Sequence, residues 1–324
     1  MKLKRWFIYF AFAFVFIFSG CVKQQTAQLQ ISATIYPLYD IIKNIAGDRA
    51  EVSLIVSPGS SPHTFAPVPT IMKKISQSKA VFMIGLGLEQ FMEKIKSQYP
   101  EINYVELGKK LKTHRFNTAV IEPDEPSSTR NRTHSGHSHQ HSHNHSHDHS
   151  HHHEGVDPHV WLDPVNVLVM IELIASELSH IDPENKNIYE KNAALYKEKI
   201  VQLDKKIKEI ISRFKNRNIV TFHDAFGYFA KRYGVHVVAS FEPWPGKEPS
   251  VKYRKKLVDA IKKLKKVSLF YEPQFNPAAL KSLAIETGVK IGMLDPIGSP
   301  EIPGRSTYIE LMEFNLNNLK EALH

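Results

Sequence analysis

Asp182-Pro183-Glu184 opens a stretch running to Phe214 in which Tyr189, Ala193, Tyr196, Ile200, Leu203, Ile207, Ile210 and Phe214 follow one another at steps alternating between four and three. That spacing keeps one apolar face aligned for about seven turns and predicts a helix over 182–214, ~45–50 Å long at ~1.5 Å per residue. A coiled-coil seam has the same spacing. Strand-like runs on both sides of the stretch favour a different use, a brace laid across two sheet-bearing lobes. A rigid brace limits how far such lobes move.

Upstream, short apolar runs at 30–34, 52–56, 80–84 and 103–106 read as strands, and amphipathic stretches at 39–46, 70–79 and 89–98 read as helices. An apolar helix at 165–178 precedes the brace. Downstream the pattern repeats, with strands at 218–222, 236–241, 267–271 and 290–294 and helices at 225–233, 251–266, 277–287 and 306–323. Strands alternating with helices give parallel sheets, so the fold class is α/β, with two parallel-sheet lobes and a cleft between them. The expected division is an N-terminal lobe over 31–181, a bridging helix over 182–214 and a C-terminal lobe over 215–324.

Within the first lobe, periodicity disappears from 114 to 156, where Ser, Asn, Asp, Pro and His leave almost nothing to bury. Such a segment is a surface loop or functional appendage. Eleven of the chain's eighteen histidines lie between His134 and His153, the first sign of metal. Alternating imidazoles without a framework make weak sites, because ordering a flexible chain costs about 1–2 kcal/mol per residue. His137, His139, His141, His143, His145, His147, His149, His151, His152 and His153 are therefore read as auxiliary ligands of a zinc-collecting loop, with sensing or buffering equally compatible.

At the amino terminus, Lys2, Lys4 and Arg5 precede thirteen apolar residues and then Ser19, Gly20 and Cys21. Thirteen helical residues span ~20 Å, short of the ~30 Å bilayer core, so 1–20 reads as a signal peptide. Cys21 is the chain's single cysteine, which excludes an internal disulfide and a CxxC pair. Phe18-Ser19-Gly20-Cys21 resembles a bacterial lipobox, although an aliphatic residue is usual where Phe18 stands. Lipidation at Cys21 and a tether over 21–30 are expected, placing the body outside the cytoplasm at the membrane surface. The net charge of +9 includes the three leader cations. The basic stretch Lys252, Arg254, Lys255, Lys256, Lys262, Lys263, Lys265 and Lys266 lacks the aromatic interleaving of a nucleic-acid site and reads as a solvated helix face.

Four residues outside the tract are candidate ligands. His63 follows the strand at 52–56, His159 lies in Asp157-Pro158-His159-Val160-Trp161-Leu162-Asp163-Pro164, His223 follows the strand at 218–222, and Asp295 ends the strand at 290–294. Ligands of open α/β sheets bind at the carboxyl ends of strands, so positions in both lobes point to one cleft. Imidazoles with one carboxylate suit a divalent transition metal, zinc above all. Taken singly, each has a plainer use: a loop histidine is usually a hydrogen-bonder, and Asp before Pro starts turns.

Pro62-His63-Thr64-Phe65 with Pro67, Asp157-Pro158-His159-Val160-Trp161-Leu162-Asp163-Pro164, Phe222-His223-Asp224-Ala225-Phe226-Gly227-Tyr228-Phe229, Glu272-Pro273-Gln274-Phe275 and Leu294-Asp295-Pro296-Ile297-Gly298 occur in this order. With them the chain resembles, over essentially its whole mature length, the metal-binding lipoproteins of zinc and manganese uptake ABC transporters. The resemblance implies two Rossmann-like lobes joined by one long helix and the ligands His63, His159, His223 and Asp295. It also implies the zinc rather than the manganese branch, since manganese members usually carry Glu at the position of His223. Ala66 departs from the family, where Glu is common. The implied partners are a membrane ABC permease with a cytoplasmic ATPase, with Zn2+ as the transported ligand, no nucleic acid and a monomeric state.

Three rival functions stand beside zinc capture: uptake of manganese or another divalent ion, a zinc-dependent hydrolase, and surface adhesion or buffering by the tract. Catalytic zinc needs an open position and a general base, and neither an HExxH helix nor a GxSxG elbow is present. A non-enzymatic binding protein is expected.

Overall fold

Strand β1 (Leu29–Ala33) lies between β2 (Ala50–Leu54) and β3 (Ala80–Met83), and β4 (Asn103–Glu106) flanks β3, with every pair parallel. Helices α1 (Tyr36–Ala46), α2 (Pro69–Ser76) and α3 (Phe91–Gln98) make the crossovers. The second lobe winds the same way: β5 (Asn218–His223), β6 (His236–Glu242), β7 (Ser268–Tyr271) and β8 (Ile291–Met293) lie in the order β6-β5-β7-β8, again parallel. Its helices are α6 (Gly227–Tyr233), α7 (Val251–Leu264), α8 (Ala278–Thr287) and α9 (Tyr308–Leu323), and between the lobes run α4 (Pro164–Ile181) and α5 (Lys186–Ser212). This computed structural model describes residues 28–323 apart from 117–154, 244, 245, 247 and 265; the expected signal peptide, Cys21 and the expected auxiliary histidines His137 to His153 lie outside the described residues. In each sheet the chain leaves its first strand toward one edge and returns past it toward the other. The crevices created at the carboxyl ends of β1/β3 and β5/β7 are where such sheets bind ligands.

Helix α5 follows a short 3₁₀ turn, Pro183–Asn185, and its 27 residues extend ~40 Å at ~1.5 Å per residue. Tyr189, Ala193, Tyr196, Ile200, Leu203 and Ile207 are buried as their spacing predicts, but at the next step Ile211 is buried and Ile210 only partly so. A straight helix drifts by ~20° per heptad against a strict seven-residue repeat, which carries the inner face on by one residue. Successive turns touch different lobes. Asn192 donates to the Ile45 carbonyl at 3.0 Å and Tyr196 to Asp40 at 3.0 Å, whereas Asp204 receives both arms of Arg232 at 2.6 Å and Lys206 meets Glu313. One apolar cluster accordingly runs from Ile31 and Phe82 through Ile200 to Phe229 and Met312.

Helix α1 begins at Tyr36, three residues before its predicted start, because Pro37 fits a first helical turn whose N–H needs no partner. By length and composition α4 could cross a membrane, yet Val167, Met170, Ile171, Ile174 and Leu178 are completely buried in the cluster shared with α5. It is a core helix.

Ile200→Ala should lower stability by about 2–5 kcal/mol, because the buried cavity cannot fully collapse. Val201→Ala, on the 52% exposed side of the same turn, should stay within about 0.5 kcal/mol. Urea unfolding with an unchanged denaturant slope checks both.

Candidate metal centre

His63 sits in the loop after β2, where Gly59 takes φ of +78° and Thr64 N–H donates to the Ser61 carbonyl, closing a tight turn. Phe65 anchors this loop by packing edge-on to Phe91, ring centres 5.2 Å apart. His159 immediately precedes a 3₁₀ turn, Val160–Leu162, that leads into α4, where Asp163 accepts from Val165 N–H and so starts the helix. His223 is the last residue of β5. Two ligand candidates thus come from loops of the first lobe and one from a strand end of the second.

The three imidazoles meet. His159 Nε2 lies 3.1 Å from His63 Nε2 and 3.3 Å from His223 Nε2. A tetrahedral zinc with nitrogens at ~2.0–2.1 Å would space its ligand atoms ~3.3 Å apart, so the donor set fits such an ion. The far side of two rings is fixed by carboxylates. Asp157 Oδ1 accepts from His159 Nδ1 at 2.8 Å and from its backbone N–H at 2.9 Å, while Glu272 Oε2 lies 2.7 Å from His223 Nδ1 and Oε1 accepts from the His223 backbone N–H at 3.0 Å. A proton held on Nδ1 leaves the Nε2 lone pair facing the centre, the arrangement by which carboxylates orient metal-binding histidines.

Burial shifts the titration of the groups behind the rings. Burial pushes the Asp157 carboxyl up to about 7, against hydrogen bonding from His159 and the fields of His114 and His223. Burial, aided by the charge of Asp157, also takes Asp224 to about 7. Burial alone would lower the His223 imidazole, but Glu272, reinforced by Asp224 and Asp157, more than reverses this and raises it above its ordinary value. Ser61, Pro62, Trp161, Phe275, Pro296 and Ile297 help to line the cavity between the rings, which holds about 10 Å3, space for one ion or one water.

Asp295 is not part of the group formed by the three histidines, whose ligand atoms all lie within 4.8 Å of one another. Its carboxylate is bonded locally: Oδ1 accepts from Ile297 N–H, Gly298 N–H and Gln274 Nε2, and Oδ2 accepts from Arg305 Nη1. It remains linked to the centre through its neighbour, since Trp161 Nε1 donates to the Pro296 carbonyl at 2.7 Å. Asp157 and Glu272 were not singled out by sequence reasoning. Asp157 stands two residues before His159, and Glu272 directly follows β7 at the β5/β7 crevice, a positional signal that could have found it.

Residues 31–322 match the family model described as ZnuA, zinc-uptake complex component A, periplasmic. The chain is 33% identical over 306 residues to the zinc-binding lipoprotein AdcA of Streptococcus pneumoniae, covering 93% of its own length and 57% of that relative, so it spans little more than half of that protein. It is 27% identical over 318 residues to the manganese-binding lipoprotein MntA of Halalkalibacterium halodurans, covering 95% of itself and 94% of the relative. The solved Zn(II)-bound ZnuA-like domain of Streptococcus pneumoniae AdcA superposes with a TM-score of 0.69 at 28% identity, over 91% of this chain and 99% of that one.

Asp157→Asn and Glu272→Gln should each weaken zinc binding ~10–100-fold, the usual loss when an orienting carboxylate is neutralised. Competition with a chromophoric chelator measures this, and thermal melts of the zinc-free protein separate the effect from unfolding.

Proposed function

The chain belongs to the zinc-uptake component A family, and from that premise we propose that it captures zinc outside the cytoplasm and delivers it to a membrane ABC permease driven by a cytoplasmic ATPase. One observation carries the reading: the Nε2 atoms of His63, His159 and His223, from both lobes, converge on a cavity sized for a single ion. Asp295 supplies the fourth ligand through Oδ2, the oxygen with the fewer hydrogen bonds. Cys21 carries the lipid that holds the monomeric protein at the membrane, in keeping with relatives named lipoproteins. Histidines 134–153 collect zinc weakly and pass it to this centre.

Manganese is the alternative cargo, favoured by the name of one relative. Three nitrogen ligands weigh against it, since manganese prefers oxygen and lies lowest in the divalent affinity series. A hydrolase would need a metal position left open for water and a general base, and the sequence carries neither an HExxH helix nor a GxSxG elbow.

The decisive experiment is metal analysis of the protein lacking 134–153, purified without a His tag. One tightly held zinc per chain is expected, and alanine at His63, His159 or His223 should abolish it while alanine at His180 or His236 should not. Loss of all binding in the deletion would move the principal site to the tract.

Protons should compete with the ion, because each imidazole must be neutral to donate its lone pair. At limiting zinc, occupancy should begin to fall as pH drops through ~6.5 and decline steeply by ~4.5, since more than one proton replaces each ion. The raised His223 shifts the onset upward, as that ring holds its proton at higher pH than an ordinary imidazole. A flat titration over this range would mean that histidines do not dominate the site.

A further inference from the structure

Arg305 reaches Asp295 by an enforced reversal of the chain. Gly298, at φ of +75°, approaches so closely that a Cβ there would stand 2.9 Å from the Arg305 carbonyl. Ser299 N–H donates to that carbonyl at 3.1 Å, and Arg305 N–H donates to Ile302 at 3.0 Å. The guanidinium lies over the Phe314 ring, 4.9 Å from its centre, and Arg305 is only 8% exposed. Its cation is built in.

Asp295 is equally fixed. Its backbone is clamped by Asn315, which accepts from Asp295 N–H at 2.8 Å and donates to Asp295 O at 2.7 Å. Oδ1 already accepts from two backbone N–H groups at 3.0 Å and from Gln274 at 2.8 Å, so Oδ2 is the oxygen left for a metal. Arg305 Nη1 lies 2.7 Å from it. A carboxylate that shares its charge with a guanidinium offers a metal less negative charge. The loss falls unequally on different ions. Zinc draws most of its binding from imidazoles, whereas manganese depends on charged oxygen.

We infer that Arg305 is a metal-selectivity residue, acting through Asp295 to depress manganese binding more than zinc binding at the three-histidine centre. The inference rests on Asp295 being the fourth ligand. Its test measures zinc and manganese dissociation constants for R305Q, R305M, R305K, D295N and the R305Q/D295N pair, with unfolding midpoints of each metal-free protein. R305Q should tighten manganese roughly tenfold more than zinc as the full carboxylate charge returns. R305K, which keeps a cation beside Oδ2, should restore the original ratio, and with Asn at 295 the loss of Arg305 should leave the ratio unchanged. If R305Q does not fold, R305M, whose stem keeps the Phe314 contact, carries the same expectation. Equal shifts for both metals in the folded variant overturn the inference, as does a ratio change that persists with Asn at 295. If D295N binds both metals like the parent protein, the fourth-ligand reading fails and takes the inference with it. If D295N weakens binding while R305Q leaves the ratio alone, only the inference fails.

Discussion

Asp40, buried in α1, accepts a hydrogen bond from Tyr196 on α5 and another, at 2.9 Å, from the backbone N–H of Tyr308 at the start of α9. Burial raises its carboxyl, against the hydrogen bonds from Tyr308, Tyr196 and Asn44. One side chain thus joins the first lobe, the brace and the second lobe, and removing its partners would strand a buried acid at a cost of about 1–3 kcal/mol or more. Tyr308 Oη in turn donates to the Trp161 carbonyl, and Trp161 Nε1 donates to Pro296. His159 and Asp295 are neighbours of those two residues. The register between lobes is therefore set by directional bonds as well as by apolar packing, and a centre divided between lobes depends on that register.

The same division explains the electrostatics. Asp157 and Glu272 each orient a histidine, and burial holds the Asp157 and Asp224 carboxyls at about 7, so the groups behind the rings share protons as well as negative charge. Proton and metal then compete for the same field. A cation at Nε2 stabilises the ionised carboxylates, and by reciprocity the ionised carboxylates favour the cation. Arg305 is the counterweight on the remaining side, sharing the charge of Asp295.

How much of this was legible in the sequence depended on whether an interaction is periodic or topological. The stripe from Tyr189 to Phe214 announced α5 because burial on one side of a helix repeats, and it erred only at Ile210, where the period differs from the helix's own. His63 and His223 could be picked out because strand ends in a parallel sheet point at a crevice, whereas His159 stood out only within the stretch from Asp157 to Pro164. Asp295 was equally visible as a position, but its bonding was not. Nothing in its local sequence reveals that the chain turns back at Gly298 and brings Arg305 onto Oδ2. Asp157 and Glu272 were hidden for a different reason: each acts on a single histidine, which leaves no repeating spacing and only a position beside a ligand or a strand end as a signal.

The winding is duplicated, yet the three imidazoles meet between the lobes rather than within either crevice. At β1/β3 the crevice is already filled. Glu89 Oε1 accepts from Thr34 Oγ1 and Ile84 N–H, and Oε2 accepts from Gly85 N–H, so one buried acid bonds groups at the ends of both strands. Burial pushes that carboxyl up to about 7, against those three hydrogen bonds, and the site closes on itself. At β5/β7 the equivalent acid is Glu272, but there it turns toward His223, and the imidazole carries the crevice's bonding capacity outward to the opposite lobe. A buried carboxylate in the connection after the third strand of each sheet is a plug in one lobe and a lever in the other. That asymmetry leaves the first lobe to contribute from its loops, through His63 and His159, and puts the centre at the interface.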